Sequence, residues 1–163
     1  MYGKNVMVLT ALSLCLNAQP SFGQSAPIMI EKFNYAEWTK PLFSEAVTVT
    51  GIGSAKFIFL AGVGAEDENG PRGNVRYPGN FHEQCLYAYD KIKRVLAHHG
   101  ATLNDAVKIV TYLTDQRYRV PMGKCIGQSF GKTKFPVHTL LGVEALAFPE
   151  MLIEVDVTAV ISQ

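Results

Sequence analysis

The sequence predicts an α+β domain: a mixed β-sheet carrying two helices on one face, in the order β-β-α-β-α-β-β. Three observations carry that prediction. An apolar stripe at helical spacing runs from Asn80 to Gly100. Runs with strand alternation occupy 105–115 and 151–161. Between them, a weaker helical segment near Pro121 is followed by a further strand at 136–143.

Taken in order, Ala46–Thr50 and Lys56–Gly62 are β-rich runs joined by a Gly-containing turn, which reads as a hairpin. The stretch from Gly64 to Gly79 is rich in Gly, Pro, Asp, Asn and Arg, shows no period and reads as a surface loop. Asn80 is placed as the N-cap of the first helix, with Glu83 three residues on completing a capping box. Phe81, Cys85, Ala88, Tyr89, Ile92, Val95 and Leu96 then fall on one stripe, and Gly100 supplies the stop. In the strand after it, Val107, Ile109, Thr111 and Leu113 share a face. Pro121 suits the first turn of the second helix. Gly123 and Gly127 each cost that helix about 1 kcal/mol relative to Ala, so packing of Met122, Ile126 and Phe130 must hold it.

The first residues read differently. Lys4 precedes the uncharged run Val6–Leu16, followed by small and polar residues, the layout of a secretory signal (residues 1–23) ahead of a single domain (24–163). The run is too short to span a bilayer, so the expected location is periplasmic or secreted, with no membrane contact after cleavage. Cleavage is placed after Gly23, with Ala18 as the alternative. A hydrophobic content of 48%, 18% charged residues and a formal net charge of +1 describe a globular chain without the broad field a polyanion needs, and no nucleic-acid partner is expected. Cys85 and Cys125 lie in the predicted helices; buried free thiols are the expectation, with pairing the alternative if they meet in an oxidising compartment. No histidine spacing matches a zinc pattern, and neither metal nor cofactor is expected.

Chemistry concentrates at the end of the chain. Met151, Ile153, Val155, Val157 and Ala159 alternate with Glu154, Asp156 and Thr158, so the two carboxylates share one face about 7 Å apart. Asp156 reads as a solvated or cross-subunit paired charge. Glu154 is the other carboxylate of that face, and a desolvated carboxylate orients water and carries its proton.

Phe43-Ser44-Glu45-Ala46-Val47, Ile58-Phe59-Leu60-Ala61-Gly62, Gln84, Tyr112–Asp115, Phe135-Pro136-Val137-His138-Thr139 and Ile153–Val160 stand in an order that resembles the Rid family (reactive intermediate deaminases, also called YjgF). The resemblance runs from about Pro41 to Ile161. It implies a chorismate-mutase-like homotrimer with a small-molecule cleft between subunits, where imines or enamines are hydrolysed. It places Glu154 beside the attacking water and His138, Thr139, Phe43 and Gln84 around the ligand. In the deaminase branch an Arg of the Pro-x-Arg-[Ser/Thr] motif grips the substrate carboxylate; the residue here is His138, which cannot form two parallel N–H bonds. The expectation is therefore an imine or enamine hydrolase that does not act on the usual 2-imino acids. The alternative is a non-catalytic trimer that binds a small ligand or acts as a holdase. Ribonuclease activity, reported for some relatives, fits poorly with a near-neutral surface.

Overall fold

A computed structural model describes residues 27–33 and 46–162. Strand β1 (Met29–Phe33) pairs antiparallel with β2 (Ala46–Thr50) in a two-stranded sheet of its own. The main sheet contains β3 (Ala55–Phe59), β4 (Val63–Gly64), β5 (Ala106–Leu113), β6 (Val137–Gly142) and β7 (Ile153–Ser162). Its order is β3-β7-β5-β6, with β4 also paired to β7. Helices α1 (Phe81–His98) and α2 (Arg119–Phe130) pack on it. β5 and β6 run parallel and the other pairs antiparallel, so the sheet is mixed, as expected.

The expected hairpin of 46–50 with 56–62 does not form. Gly51, at φ 73°, and a 3-10 turn over Ile52–Ser54 send the chain from one sheet to the other: β2 pairs back with β1 and β3 pairs with β7 at the far end of the chain. The second run is also broken. Phe59 pairs with Thr158 and Val63 with Val155, so this edge advances four residues while β7 advances three. One extra residue is accommodated around Leu60–Gly62, a bulge of the kind that re-aims neighbouring side chains. Beyond it the expected loop is partly ordered by a bridge between Glu66 and Val75, which encloses Ala65, Val75 and Met151 as a small second core.

One face of the sheet is dry. Ile58, Ile109, Leu113, Ile153, Val155, Val157 and Ala159 point into a core shared with Phe81, Tyr89, Ile92 and Leu96 of α1 and Ile126 and Phe130 of α2. The alternation read for β7 holds. In β5 it holds from Ile109 onward, but a register irregularity between Ala106 and Lys108 buries Ala106 in place of Val107. Val95, expected on the α1 stripe, is 41% exposed at the stripe's edge.

The caps follow the physics with one exchange. Asn80 accepts from the Glu83 amide at 3.3 Å, without a return bond from Glu83, and Gly100 ends α1 at φ 80°. The reciprocal box is instead made by Thr102 and Asp105 ahead of β5. α2 starts two residues before Pro121, behind a turn that Asp115 caps.

The thiol expectation is overturned: Cys85 and Cys125 form a disulfide, with Cα atoms 6.2 Å apart, in the seam between α1 and α2. Both lie on the inward stripes of their helices, so the packing that buries them also brings them within bonding reach.

Candidate functional site

The bulge at Leu60–Gly62 determines where the Glu154 carboxylate lies. Glu154 sits in β7 between Tyr112 of β5 and Gly64 of β4, on the side of the sheet away from the helices. Its side chain reaches over Gly62: a Cβ built there would stand 1.9 Å from Glu154 Oε1. The glycine supplies the space the carboxylate occupies. Among the described residues the carboxylate has no ion-pair or hydrogen-bond partner, and partial burial together with the negative charges of Asp156 and Glu66 pushes its pKa up. A carboxyl group that holds its proton more readily, with open oxygens, is suited to proton transfer.

Its neighbours are committed. The Tyr112 hydroxyl donates to Asp156 Oδ2 at 3.0 Å, which raises the tyrosine pKa and anchors the second carboxylate. Glu66 accepts from the Gly64 amide at 3.0 Å and pairs with Lys91 at 2.8 Å. Lys91, nearly buried, also donates to the Glu66 carbonyl at 2.8 Å. These bonds clamp the turn after β4 to α1. Arg94, paired with Glu68 at 2.7 Å, and Tyr87, donating to the same carboxylate, continue the clamp along the loop.

The other expected residues separate. Thr139 is exposed on the face that carries Glu154: it pairs with Val110, which pairs in turn with Asp156. His138, one residue earlier, points the opposite way. It pairs with Ile109, and its Nε2 lies 2.9 Å from Thr111 Oγ1 on the helix-facing side. Burial holds its pKa down to about 4, so the imidazole is neutral at physiological pH. The fully buried Tyr89 hydroxyl faces the same threonine without a hydrogen bond of normal geometry. Within the protomer, His138 and Glu154 therefore stand on opposite faces of the sheet.

Gln84 is wholly buried and occupied. Its Nε2 donates to the carbonyls of Glu150 (2.8 Å) and Tyr77 (3.2 Å), and its Oε1 accepts from the Leu152 amide at 2.9 Å. These bonds tie α1 to the segment leading into β7. Phe43 lies outside the described residues. Sequence reasoning missed Gly62 as the seat of Glu154 and Lys91 as the clamp. The signal for the first was present in the glycines of Gly62-Val63-Gly64, whose meaning depends on the pairing of β4 with β7. A surface cavity of about 540 Å³ lined by Ile30, Lys32, Asn104, Thr133 and Lys134 includes none of the expected site residues. Among the described residues no cluster of three or more His, Cys, Asp or Glu side chains is arranged to hold a metal, and no helix is long and apolar enough to cross a membrane.

A mixed sheet with two helices on one face and the carboxylates of its last strand directed to the other defines a small α+β domain of the YjgF type. The profile of the Endoribonuclease L-PSP family matches residues 40–161, and the chain belongs to that family, the Rid/YjgF group. A RutC family protein of Pyrococcus abyssi is 31% identical over 123 residues, spanning 68% of this chain and 91% of that protein. The crystal structure of a Rid-family protein of unknown function from Yersinia pestis superposes with a TM-score of 0.69 at 26% identity, covering 82% of this chain and 98% of the other. A YjgF/YER057c/UK114 family member from Mycobacterium tuberculosis gives a TM-score of 0.53 at 26% identity, covering 80% and 98%.

Proposed function

We propose that this protein is an exported, trimeric small-molecule hydrolase of the imine or enamine deaminase type, working at a cleft that the Glu154 face of one protomer builds against its neighbour. The observation that supports it most is the Glu154 carboxylate, unpartnered among the described residues, seated over Gly62 and shifted toward protonation. Imine hydrolysis needs one group to take a proton from water as it attacks carbon and to return a proton to the departing nitrogen, and one such carboxyl does both. Thr139 lies on the same face and supplies a hydroxyl to a ligand. Because the His138 imidazole is neutral and faces the core, the usual 2-imino acids are not the favoured substrates.

Trimer formation is supported by the stacked Phe57 and Phe59, 48% and 75% exposed on the open face, a costly pair to leave in water. Export is supported by the disulfide, a bond that persists in oxidising compartments. The same aromatic pair favours the second reading, a non-catalytic trimer that binds small ligands or unfolded chains.

The deciding experiment generates imines in situ, 2-iminopropanoate with an amino-acid oxidase and an uncharged-chain imine with an amine oxidase, and times the lag before ammonia appears. The expected result is a lag shortened by the wild type and restored by Glu154→Ala. An unchanged lag with both imines rejects the hydrolase in favour of the binding protein.

A further inference from the structure

The cavity of about 540 Å³ beside β1 stands apart from the Glu154 face. Asn104, in its wall, lies just ahead of β5, whereas Glu154 pairs with Tyr112 near the other end of that strand. The polar groups of this cavity are mostly donors. Lys32, half-buried in β1, donates from Nζ to the Lys134 carbonyl at 2.5 Å. Its amine stands in the field of the Lys134 ammonium, and Asp105 acts on it more weakly in the opposite sense. Burial and then the Lys134 charge push the Lys32 pKa down, as for like charges held together away from water.

The acids nearby do not relieve this repulsion. Asp105 accepts from the Thr102 amide at 2.7 Å and the Thr102 hydroxyl at 2.9 Å, as the cap of its turn. Glu31, at the rim, alternates to the face of β1 opposite Lys32. Among the described residues, neither lysine makes an ion pair. The Thr133 hydroxyl donates to Asn104 Oδ1 at 2.6 Å, which leaves the Asn104 Nδ2 hydrogens for another acceptor. Ile30, two residues from Lys32 on the same face of β1, adds an apolar wall. A cation gains nothing from such a lining. An anion replaces the repulsion between the two amines with charge-assisted bonds to both.

We propose that this cavity is a second ligand site, where Lys32, Lys134 and Asn104 hold the head of a small organic dianion of the phosphate monoester type and Ile30 packs against its apolar body.

The volume lies within the range of about 300–1,000 Å³ usual for small-molecule sites. An occupant would join β1, the turn before β5 and the segment entering β6, and so tie the two-stranded sheet to the main one. Binding should therefore raise Tm as the ligand concentration rises. The site is independent of the hydrolase reading.

The test titrates the full chain by calorimetry, at fixed ionic strength, with phenyl phosphate, inorganic phosphate and benzylammonium. Saturable binding of phenyl phosphate is expected, with inorganic phosphate weaker and no heat from benzylammonium. Lys134→Gln removes one amine but keeps the backbone carbonyl that holds Lys32. It should weaken phenyl phosphate about tenfold, the worth of one charge-assisted contact, and leave the Tm of the unliganded protein unchanged. Lys32→Gln should weaken it at least as much. No saturable binding of either phosphate overturns the proposal, and so does an affinity that Lys134→Gln does not change. Benzylammonium binding as tightly as phenyl phosphate overturns it as well.

Discussion

The two faces of the main sheet are built from the same strands and obey opposite rules. On the helix-facing side the side chains are dry, the cysteines are joined, and the polar groups present are turned to one another: His138 bonds to Thr111 with Tyr89 overhead. On the open side, Glu154 is unpartnered among the described residues, Asp156 is held by Tyr112, and Phe57 and Phe59 stack in solvent. Alternation along a strand assigns adjacent residues to different environments, so His138 and Thr139 have different chemistry despite adjoining in sequence. A motif that reads as one recognition element in one dimension is divided between core and surface in three.

The largest expected effect tests how far the dry face depends on its covalent tie. The disulfide closes a sequence separation of 40 residues and pins α2, whose Gly123 and Gly127 make it a poor helix by propensity. Replacing both cysteines by serine, or reducing the bond, should cost roughly 2–4 kcal/mol. In a domain of this size that lowers Tm by on the order of 10 °C. Calorimetry with and without a dithiol reductant measures it; a Tm unchanged by reduction would show that core packing alone holds α2. Because the bond is buried, reduction should be slow until the helices part.

What could be read in the sequence follows from the range of the forces involved. The α1 stripe, its Asn80 and Gly100 ends and the β7 alternation depend on neighbours within a few residues, and they are legible. β2 pairs with the strand before it and β3 with β7 at the far end of the chain, so two strands separated by a glycine turn imitate a hairpin that does not exist. The disulfide was half visible: both cysteines fall on inward stripes, but only the docking of α1 on α2 shows that they meet. Glu154 is placed on the correct face by alternation, whereas its seat over Gly62 depends on a bulge that a single strand cannot show. The side of the sheet that His138 takes is hidden for a related reason: it is set by the register with Ile109, not by the residues next to it in sequence.

The burial of His138 makes stability depend on pH. His138 has a pKa lowered by desolvation from 6.5 to about 4, so the unfolded chain binds the proton more readily than the native one. Stability contributed by the neutral imidazole is fully present above pH 6.5 and is lost progressively as pH falls toward 4; below that both states are protonated and the loss is complete. On the order of 2–3 kcal/mol should disappear across this window, measured by urea unfolding at several pH values. His138→Gln, which keeps a polar partner for Thr111, should flatten the curve. An unchanged slope in that variant would place the imidazole in water, on the same side as Thr139, and erase the contrast between the faces.

The smallest effect on stability should be the most informative about function. Gly62→Ala places a methyl group where the Glu154 carboxylate now lies, and the obstructing atom is the far end of a flexible side chain, which can swing aside. The fold should therefore lose less than about 1 kcal/mol, since Gly62 does not require a positive φ and the core is untouched. The displaced carboxylate, however, no longer faces the bulge, and a misplacement on the order of 1 Å is enough to cost about 100-fold in turnover. A small fall in Tm with a large fall in kcat, and with KM little changed, identifies Gly62 as a positioning residue. If stability and turnover fall together, the glycine serves the strand edge instead. If neither moves, Glu154 works from a different rotamer, and the open face must be rebuilt around Asp156 and Tyr112.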